Sequence, residues 1–358
     1  MFFPSWRTHP AARYLPATLA ILGIAAAPFA FIALLGESAT SSGAPELVGL
    51  QGWVGSPPLS LAGLRGNVVL IDFWTYSCIN CLRTIPYLNA WYDRYRDDGL
   101  VVIGIHSPEF AFERDPARVE GEVRRLGVSY PVAIDSEKRT WAAYVNQYWP
   151  HKYLIDRGGH IRHTQIGEGG YELMESHIRE LLAEHGHVMS DEIASVSPEA
   201  VDAKAIATPE IYFGSYFGQF LGNPLGLRSM REAEYREPDA LDPNLFYLSG
   251  RWTIGEEAVT SAGREAHRVS LRYTAKAVNV VAGAPGRRVL VEVLRDGRPL
   301  DEAEWGEDIR RDEQGRAVVE VSDHRLYRLI LDRAGYGTHT ITLVIPEPGF
   351  DVYTVTFG

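Results

Sequence analysis

The clearest pattern in the chain is an alternation of apolar runs with amphipathic stretches between residues 45 and 185. The runs are rich in Val and Ile, which is typical of buried strands, and they are residues 67–74, 100–106 and 130–135. The stretches space their apolar residues at helical intervals, and they are residues 82–99, 115–127, 138–148 and 171–184. A hairpin is predicted over 151–167, with its turn at Gly158. Strands that alternate with helices predict an α/β domain over residues 45–185.

From residue 208 onward the pattern changes to a period of two residues. Apolar and polar residues alternate in segments broken by Gly and Pro, and the Asp296-Gly297 pair is typical of a tight hairpin turn. The pattern predicts an all-β sandwich or jelly-roll domain over residues 208–358. Residues 186–207 lack a strong strand pattern and are predicted to be a linker.

The N-terminal region contains a long uncharged apolar segment, residues 14–36, which is preceded by Arg7 and Arg13. A helix of about 22 residues would extend roughly 33 Å, enough to cross a hydrocarbon core of about 30 Å. The positive-inside rule then keeps residues 1–14 in the cytoplasm and makes residues 15–36 a transmembrane anchor, with the later domains outside the cytoplasm. The alternative is a cleaved signal peptide, although its apolar region would be unusually long and no clean A-x-A site follows.

Composition and charge narrow the classes of function. The chain has 358 residues, of which 46% are hydrophobic and 23% charged, as expected for globular domains. Its formal net charge is −11, and it has no long run of Lys and Arg that could neutralise a phosphate backbone. Nucleic acid is therefore not expected as a partner.

The 2 cysteines of the chain, Cys78 and Cys81, both lie in the segment IDFWTYSCINCLRT. As a structural disulfide they would close a loop of about four residues and stabilise the fold by roughly 2 kcal/mol at most. A closed metal site needs further ligands, for which His106 and His151 are candidates, so this alternative stays open. Thiol-disulfide exchange needs no third partner, because one thiolate attacks a substrate disulfide and the other resolves the mixed disulfide. We therefore favour a redox pair.

The position of the pair agrees with redox chemistry. A C-x-x-C between a buried strand and a helix places Cys78 at the helix N-terminus, where unpaired N–H groups favour a thiolate and lower its pKa. Cys81 is expected about one turn inside the helix, and therefore more shielded.

Several segments make the chain resemble a known family. VVLIDFWTYSCINC is similar to the active-site segment of thioredoxin-like proteins, and GIHSPEFAFERD and YWPHKYLID resemble the DipZ/TlpA branch of membrane-associated, extracytoplasmic thiol-disulfide oxidoreductases. NLFYLSGRWT and the YTVTFG end resemble the jelly-roll domain that follows the thioredoxin domain in DipZ-like proteins. Two features depart from the family. A single predicted span stands where DipZ-like proteins often have a multi-span domain, and Ser77 stands where thioredoxins usually have Trp.

The resemblance implies a role for individual residues. Cys78 would be the nucleophile and Cys81 the resolving cysteine. Pro150 would be a cis-proline that exposes the backbone of Trp149 to an extended substrate segment. Asp72 would be the buried carboxyl group that exchanges a proton with Cys81.

Aromatic residues raise two further possibilities, each with a structural alternative. Trp74 and Tyr76 either shape the rim of the substrate-binding surface or are plain packing residues. Aromatic residues of the β domain either stack on a glycan or belong to its core, and the core is the favoured interpretation. The segment HSPEFAFE is interpreted as a connection between strand and helix rather than a partner-binding loop.

Together these patterns predict an anchored extracytoplasmic thiol-disulfide oxidoreductase. Its substrates would be proteins with disulfides, including apocytochromes, and it needs no cofactor beyond the Cys78–Cys81 pair. Because the chain has no electron-conducting membrane domain of its own, a separate membrane protein is expected to be the electron donor. Two alternatives remain open, an envelope- or glycan-binding protein with a secondary redox domain and a copper-handling protein.

Overall fold

The computed structural model describes residues 43–184 and 204–358 except 229, together with residues 194, 196, 201 and 202. The predicted cytoplasmic segment 1–14, the predicted anchor 15–36 and most of the predicted linker 186–207 lie outside the described residues. In the part of the chain that is described, no helix has both the length and the apolar character needed to cross a membrane.

The first half of the described chain is built on a mixed sheet of six strands. These strands are β1 (Gly52–Val54), β2 (Val68–Trp74), β3 (Leu100–His106), β4 (Val132–Ile134), β5 (His151–Ile155) and β6 (Ile161–Ile166). Their order is β1-β4-β3-β2-β5-β6, and β2, β3 and β4 are parallel whereas the other pairings are antiparallel. Every residue of β2 is buried, which explains its nearly continuous apolar sequence.

Four helices accompany this sheet, and they are α1 (Ile79–Tyr95), α2 (Pro116–Arg125), α3 (Arg139–Ala143) and α4 (Tyr171–Ala183). Apolar side chains of α1, α2 and α4 share one core with the sheet. Residues around α3 pack into a second core with the segment that precedes β2. The predicted α/β alternation is therefore confirmed.

One prediction of local structure is wrong, and one strand was not predicted. The helix expected over 138–148 ends at Ala143, because Val145 has a φ of 52°, which lies outside the range of a right-handed helix. The sequence analysis also missed β1, whose 3 residues are too few to show a pattern of alternation.

The second half of the chain is all β, as predicted. Its strands are β7 (Ile211–Tyr212), β8 (Glu232–Tyr235), β9 (Phe246–Ile254), β10 (Val259–Ala262), β11 (His267–Ala275), β12 (Ala277–Gly283), β13 (Val289–Arg295), β14 (Arg298–Pro299), β15 (Ile309–Arg311), β16 (Ala317–Val321), β17 (Arg325–Leu331), β18 (Gly337–Ile345) and β19 (Asp351–Phe357). The backbone of the array follows the order β15-β16-β13-β18-β11-β9-β10-β19-β12-β17. β7, β8 and β14 attach to β19, β9 and β13.

The array has two parts, one containing β11 and the other containing β10, and β9 belongs to both. It changes its partner from β11 to β10 at Gly250. Residues 246–249 pair with β11, whereas residues 251–254 pair with β10. Gly250 has a φ of 92°, and a Cβ atom there would lie 3.2 Å from the His267 ring. Glycine adopts this φ at little cost, so one strand can serve both parts, whose inward side chains form a single core.

Ser41–Gly358 forms one compact unit, and the β domain contributes to the core beneath α1. Val281, Leu326 and Tyr353 belong to the same buried cluster as Cys81 and the apolar face of α1. The β domain is therefore packed directly beside the segment that contains the cysteines.

Candidate active site

The two cysteines lie where the chain leaves β2 and enters α1. Cys78 is the N-cap of the helix, and its sulfur accepts a hydrogen bond from the Cys81 backbone N–H at 3.3 Å. Both thiols are free, with their Sγ atoms 2.6 Å apart. Cys78 is half-buried, whereas Cys81 is only 1% exposed. The difference in exposure makes Cys78 the sulfur that an incoming disulfide can reach.

The pKa values of the two thiols differ from the sequence-based expectation. Burial raises the pKa of Cys78, and the carboxylates of Glu109 and Glu210 raise it further. The expectation of a lowered pKa at the helix N-terminus is therefore wrong for this dithiol. Burial raises the pKa of Cys81 well above its ordinary value, with contributions from Cys78 and from the charge of Asp72. Cys78 remains the more acidic thiol of the pair.

The peptide bond between Trp149 and Pro150 is cis, the conformation expected for this proline. The Trp149 indole donates a hydrogen bond to the Ser107 carbonyl at 2.9 Å and packs on Trp141, with ring centroids 4.3 Å apart. The Lys138 ammonium group lies 4.4 Å from the Trp149 ring centroid. Among the described residues, no hydrogen bond involves the Trp149 backbone, so its N–H and C=O groups are available for a substrate strand.

Asp72 lies on β2, directly opposite Lys152 on β5. Both side chains are buried, and the Lys152 Nζ atom lies 3.9 Å from Asp72 Oδ1. Lys152 donates a hydrogen bond to the Gly167 carbonyl at 3.3 Å, whereas Asp72 Oδ1 has no hydrogen-bond partner among the described residues. Burial raises the pKa of Asp72 to about 7, against the opposing charge of Lys152. A carboxyl group with this pKa can gain or lose a proton near neutral pH.

A buried carboxylate holds the segment that precedes Cys78. Glu113 is 0% exposed and accepts hydrogen bonds from the Thr75 hydroxyl at 2.5 Å and the Ser77 hydroxyl at 2.6 Å. It also accepts hydrogen bonds from the backbone N–H groups of Glu109 at 2.6 Å and Phe110 at 3.0 Å. These bonds connect residues 75–77, which lead to Cys78, with the loop of residues 107–113 that follows β3. This loop is called the 107–113 loop below.

Trp74 and Tyr76 do not line the rim of a substrate-binding surface, so that interpretation is wrong. Both side chains are buried and pack around His106, with Trp74 edge-on at 5.4 Å and Tyr76 stacked at 5.3 Å. His106 itself is 0% exposed, and burial lowers its pKa to about 3. The two aromatic residues are therefore packing residues of the segment that leads to the cysteines.

Two family descriptions match separate parts of this chain. The AhpC/TSA family matches residues 44–164, and a family described as "Thioredoxin like C-terminal domain" matches residues 208–358.

Thiol-disulfide oxidoreductases are similar to the first half of the chain. YkuV of Bacillus subtilis is 30% identical over 140 residues, which cover 39% of this chain and 94% of YkuV. ResA of Bacillus thuringiensis is 31% identical over 123 residues, which cover 34% of this chain and 68% of ResA. The chain belongs to the thiol-disulfide oxidoreductases. This oxidoreductase is also 42% identical to the protein DipZ of Mycobacterium tuberculosis over 266 residues, or 72% of the chain. The aligned part spans 37% of DipZ.

The oxidoreductase also has a contact between the site and its β domain that the sequence analysis missed. The Tyr212 hydroxyl donates a hydrogen bond to Glu109 at 2.6 Å, and the Ala111 N–H donates to the Glu257 carboxylate at 2.9 Å. The ring of Phe112 packs edge-on against Tyr353 at 4.8 Å. The segment HSPEFAFE is thus more than a connection between strand and helix, because it is the surface on which the β domain rests.

Other residues of the oxidoreductase were missed as well. Lys152 could have been noticed as a lysine within a strand of otherwise buried character, since an uncompensated buried cation is costly. Glu113 carries no comparable signal, because a glutamate at the start of an amphipathic segment is usually exposed.

The copper alternative requires a histidine beside the two thiols. The group of possible metal ligands found among the described residues is His163, His177 and Glu180, on β6 and α4, and it includes neither cysteine. His106 hydrogen-bonds the Thr75 hydroxyl at 3.3 Å instead.

The glycan alternative requires exposed aromatic rings on the β domain. Of the aromatic residues with that potential, Tyr216 is 80% exposed, whereas Trp252 and Tyr327 are buried in the core. Within the described part of the β domain, one exposed tyrosine does not make a stacking platform.

Proposed function

We propose that the oxidoreductase reduces or exchanges disulfides in envelope proteins, with apocytochromes c among its substrates, through the Cys78–Cys81 pair. The observation that carries the proposal is the asymmetric pair itself. A half-buried Cys78 caps α1, a buried Cys81 lies 2.6 Å away, and the loop with the cis Trp149–Pro150 bond has backbone groups without a hydrogen bond among the described residues. This arrangement suits a protein segment that binds in extended form and presents its disulfide to Cys78.

The chemistry proceeds in two balanced steps. The Cys78 thiolate attacks one sulfur of the substrate disulfide, the substrate S–S bond breaks, and the departing thiolate takes up a proton. Ionised Asp72 then accepts the proton of the Cys81 thiol, and the resulting thiolate attacks Cys78. The mixed disulfide breaks, the second substrate thiolate leaves and is protonated, and the enzyme is left with a Cys78–Cys81 disulfide. Two electrons pass from the enzyme to the substrate.

The proposed location is the extracytoplasmic side of the cell membrane. The uncharged segment 14–36, the preceding arginines Arg7 and Arg13, and the similarity to DipZ support this location. A separate membrane protein would return electrons to the pair after each turnover. This donor would have to reach the same half-buried sulfur that the substrate uses.

The direction of electron flow is tested by the reduction potential of the Cys78/Cys81 couple. Equilibration with glutathione buffers should give a value of about −270 mV if the enzyme is a reductase, whereas a value of about −120 mV would indicate an oxidant. Reduction of insulin disulfides with dithiothreitol as donor measures the activity itself. If the purified protein shows no exchange in this assay, the proposed function is wrong.

The order of attack is tested by trapping. In Cys81→Ser the mixed disulfide cannot be resolved, so substrate proteins should accumulate in covalent complexes that dithiothreitol releases. Cys78→Ser serves as the matched control and should trap nothing. Complexes with Cys78→Ser but not with Cys81→Ser would reverse the two assignments.

A further inference from the structure

Two histidines lie against each other at the edge of the six-stranded sheet. His163 belongs to β6, the last strand in the order of that sheet, and His177 belongs to α4. Their rings are stacked, with centroids 3.5 Å apart and an angle of 10° between the ring planes. Both side chains are half-buried, so water and small ions can reach them.

A carboxylate lies beside the two rings. Glu180 comes three residues after His177, a spacing that places both side chains on the same side of a helix. Its Oε2 atom lies 3.7 Å from His177 Nδ1. One possible ligand atom from each of His163, His177 and Glu180 lies within 4.8 Å of the other two. Within the described residues neither ring makes a hydrogen bond, which leaves ring nitrogens available to a ligand.

Two imidazoles and one carboxylate form a ligand set that suits Zn²⁺. The ion binds imidazole nitrogen at about 2.0–2.1 Å and carboxylate oxygen at about 2.0–2.2 Å, and a site with three protein ligands keeps a fourth position for water. Ligand atoms in tetrahedral geometry at these distances are about 3.3 Å apart. A turn of the partly exposed His177 ring out of the stack would bring the three ligand atoms to that spacing.

We propose that His163, His177 and Glu180 bind a divalent transition metal ion, Zn²⁺ in the first place, which bridges β6 and α4. The site stands apart from the thiol chemistry, because it includes neither cysteine. A metal ion that binds only the folded chain stabilises it. The ion would therefore fasten the edge of the sheet to the helix that packs on it.

The charge beside the site does not oppose a cation. Arg162 precedes His163 on β6, and its guanidinium group pairs with the carboxylates of Asp156 and Glu184, each at 3.3 Å. Its positive charge is thus already compensated. Glu180 adds a negative charge directly at the ligand group.

The first test measures Zn²⁺ binding to the full chain by isothermal titration calorimetry at about pH 7.5, where imidazole is mostly neutral. The chain carries Cys78→Ser and Cys81→Ser, so that no thiol can take the metal. It should bind a Zn²⁺ ion that His163→Ala, His177→Ala and Glu180→Gln each weaken at least about tenfold. Mg²⁺ should not compete, because it prefers oxygen ligands.

His160→Ala is the matched control. The His160 Nδ1 atom lies 3.5 Å from Asp156 Oδ1, but this histidine is not part of the group with three possible ligands. Its replacement should leave the affinity for Zn²⁺ unchanged. Absence of binding, or an equal loss of affinity in the control and in the three ligand variants, would overturn the proposal.

The second test locates the ion by hydrogen exchange and mass spectrometry. Zn²⁺ should slow amide exchange in β6 and α4 together, because the ion joins the two elements, whereas Mg²⁺ should not. Glu180→Gln changes an exposed side chain, so the fold should persist while this protection is lost. Protection of only one element, or the same protection in Glu180→Gln, would rule out the bridging site. Both tests are independent of disulfide exchange, so a failure of the proposed function would leave their outcome unaffected.

Discussion

Replacement of Lys152 by methionine should slow resolution of the mixed disulfide. Lys152 is buried, and its ammonium group lies 3.9 Å from Asp72. At an effective dielectric constant of about 20, the attraction between the two charges is about 4 kcal/mol, which corresponds to about 3 pKa units as an upper limit. Without this cation the pKa of Asp72 should rise from about 7 to between about 8 and 10.

This shift in pKa lowers the fraction of Asp72 that is ionised and can act as the base. At pH 7 about half of the Asp72 carboxyl groups are ionised in the wild type, against about a tenth or fewer in Lys152→Met. Single-turnover measurements should therefore show resolution slowed about fivefold or more at pH 7, with recovery toward the wild-type rate above about pH 9. Rapid-mixing fluorescence over a range of pH measures the rate.

Two control variants make this result specific. Lys204→Met removes an exposed lysine just before the β domain and should leave the pH profile unchanged. Asp72→Asn removes the base and should abolish the inflection altogether. If Lys152→Met keeps the wild-type inflection and a rate within about twofold of wild type, Lys152 does not tune Asp72 and the reasoning fails.

Three further predictions concern stability, measured as the free energy of unfolding in urea. Glu113→Ala leaves several buried donors without an acceptor and should cost about 3 kcal/mol or more, and a loss below about 1 kcal/mol would contradict this. Burial lowers the pKa of His106 to about 3, whereas in the unfolded chain it is about 6.5. Below about pH 6.5 the unfolded chain therefore binds a proton that the folded protein does not, which favours unfolding. Between about pH 6.5 and pH 3 the wild type should lose about 1.4 kcal/mol per pH unit relative to His106→Asn, and parallel curves would rule this out. Arg295 is buried between Glu304 and Asp332, so Arg295→Met should cost about 3–5 kcal/mol, and an unchanged urea midpoint would count against it.

Features that depend on neighbouring residues were predictable from the sequence. The cysteine pair at a strand-to-helix junction, the α/β alternation and the change to all-β structure all follow from short-range periodicity. Cys78 was expected to be the more accessible sulfur because of its position at the helix start, and the structure agrees. The role of each residue in catalysis stays a prediction.

Features that depend on strand register and domain packing were not predictable. The pairing of Asp72 with Lys152 joins residues from β2 and β5, and no local sequence pattern indicates that they face each other. Part of the rise in the pKa of Cys78 has a similar origin, since burial is its main cause and the charge of Glu210, from the β domain, adds to it. The sequence left open whether Trp74 and Tyr76 shape the rim or pack in the core, because an aromatic residue beside a reactive cysteine has the same letter whether it is exposed or buried.

The packing of Phe112 against Tyr353 also limits how such a chain can be rearranged during evolution. A domain that recombines freely must have a soluble surface in the absence of the domain it was packed against. Here the 107–113 loop and β19 each cover an aromatic ring of the other. Separation of the two halves would expose both rings at once and leave them prone to self-association. Inheritance of the two halves as a single piece avoids that hazard.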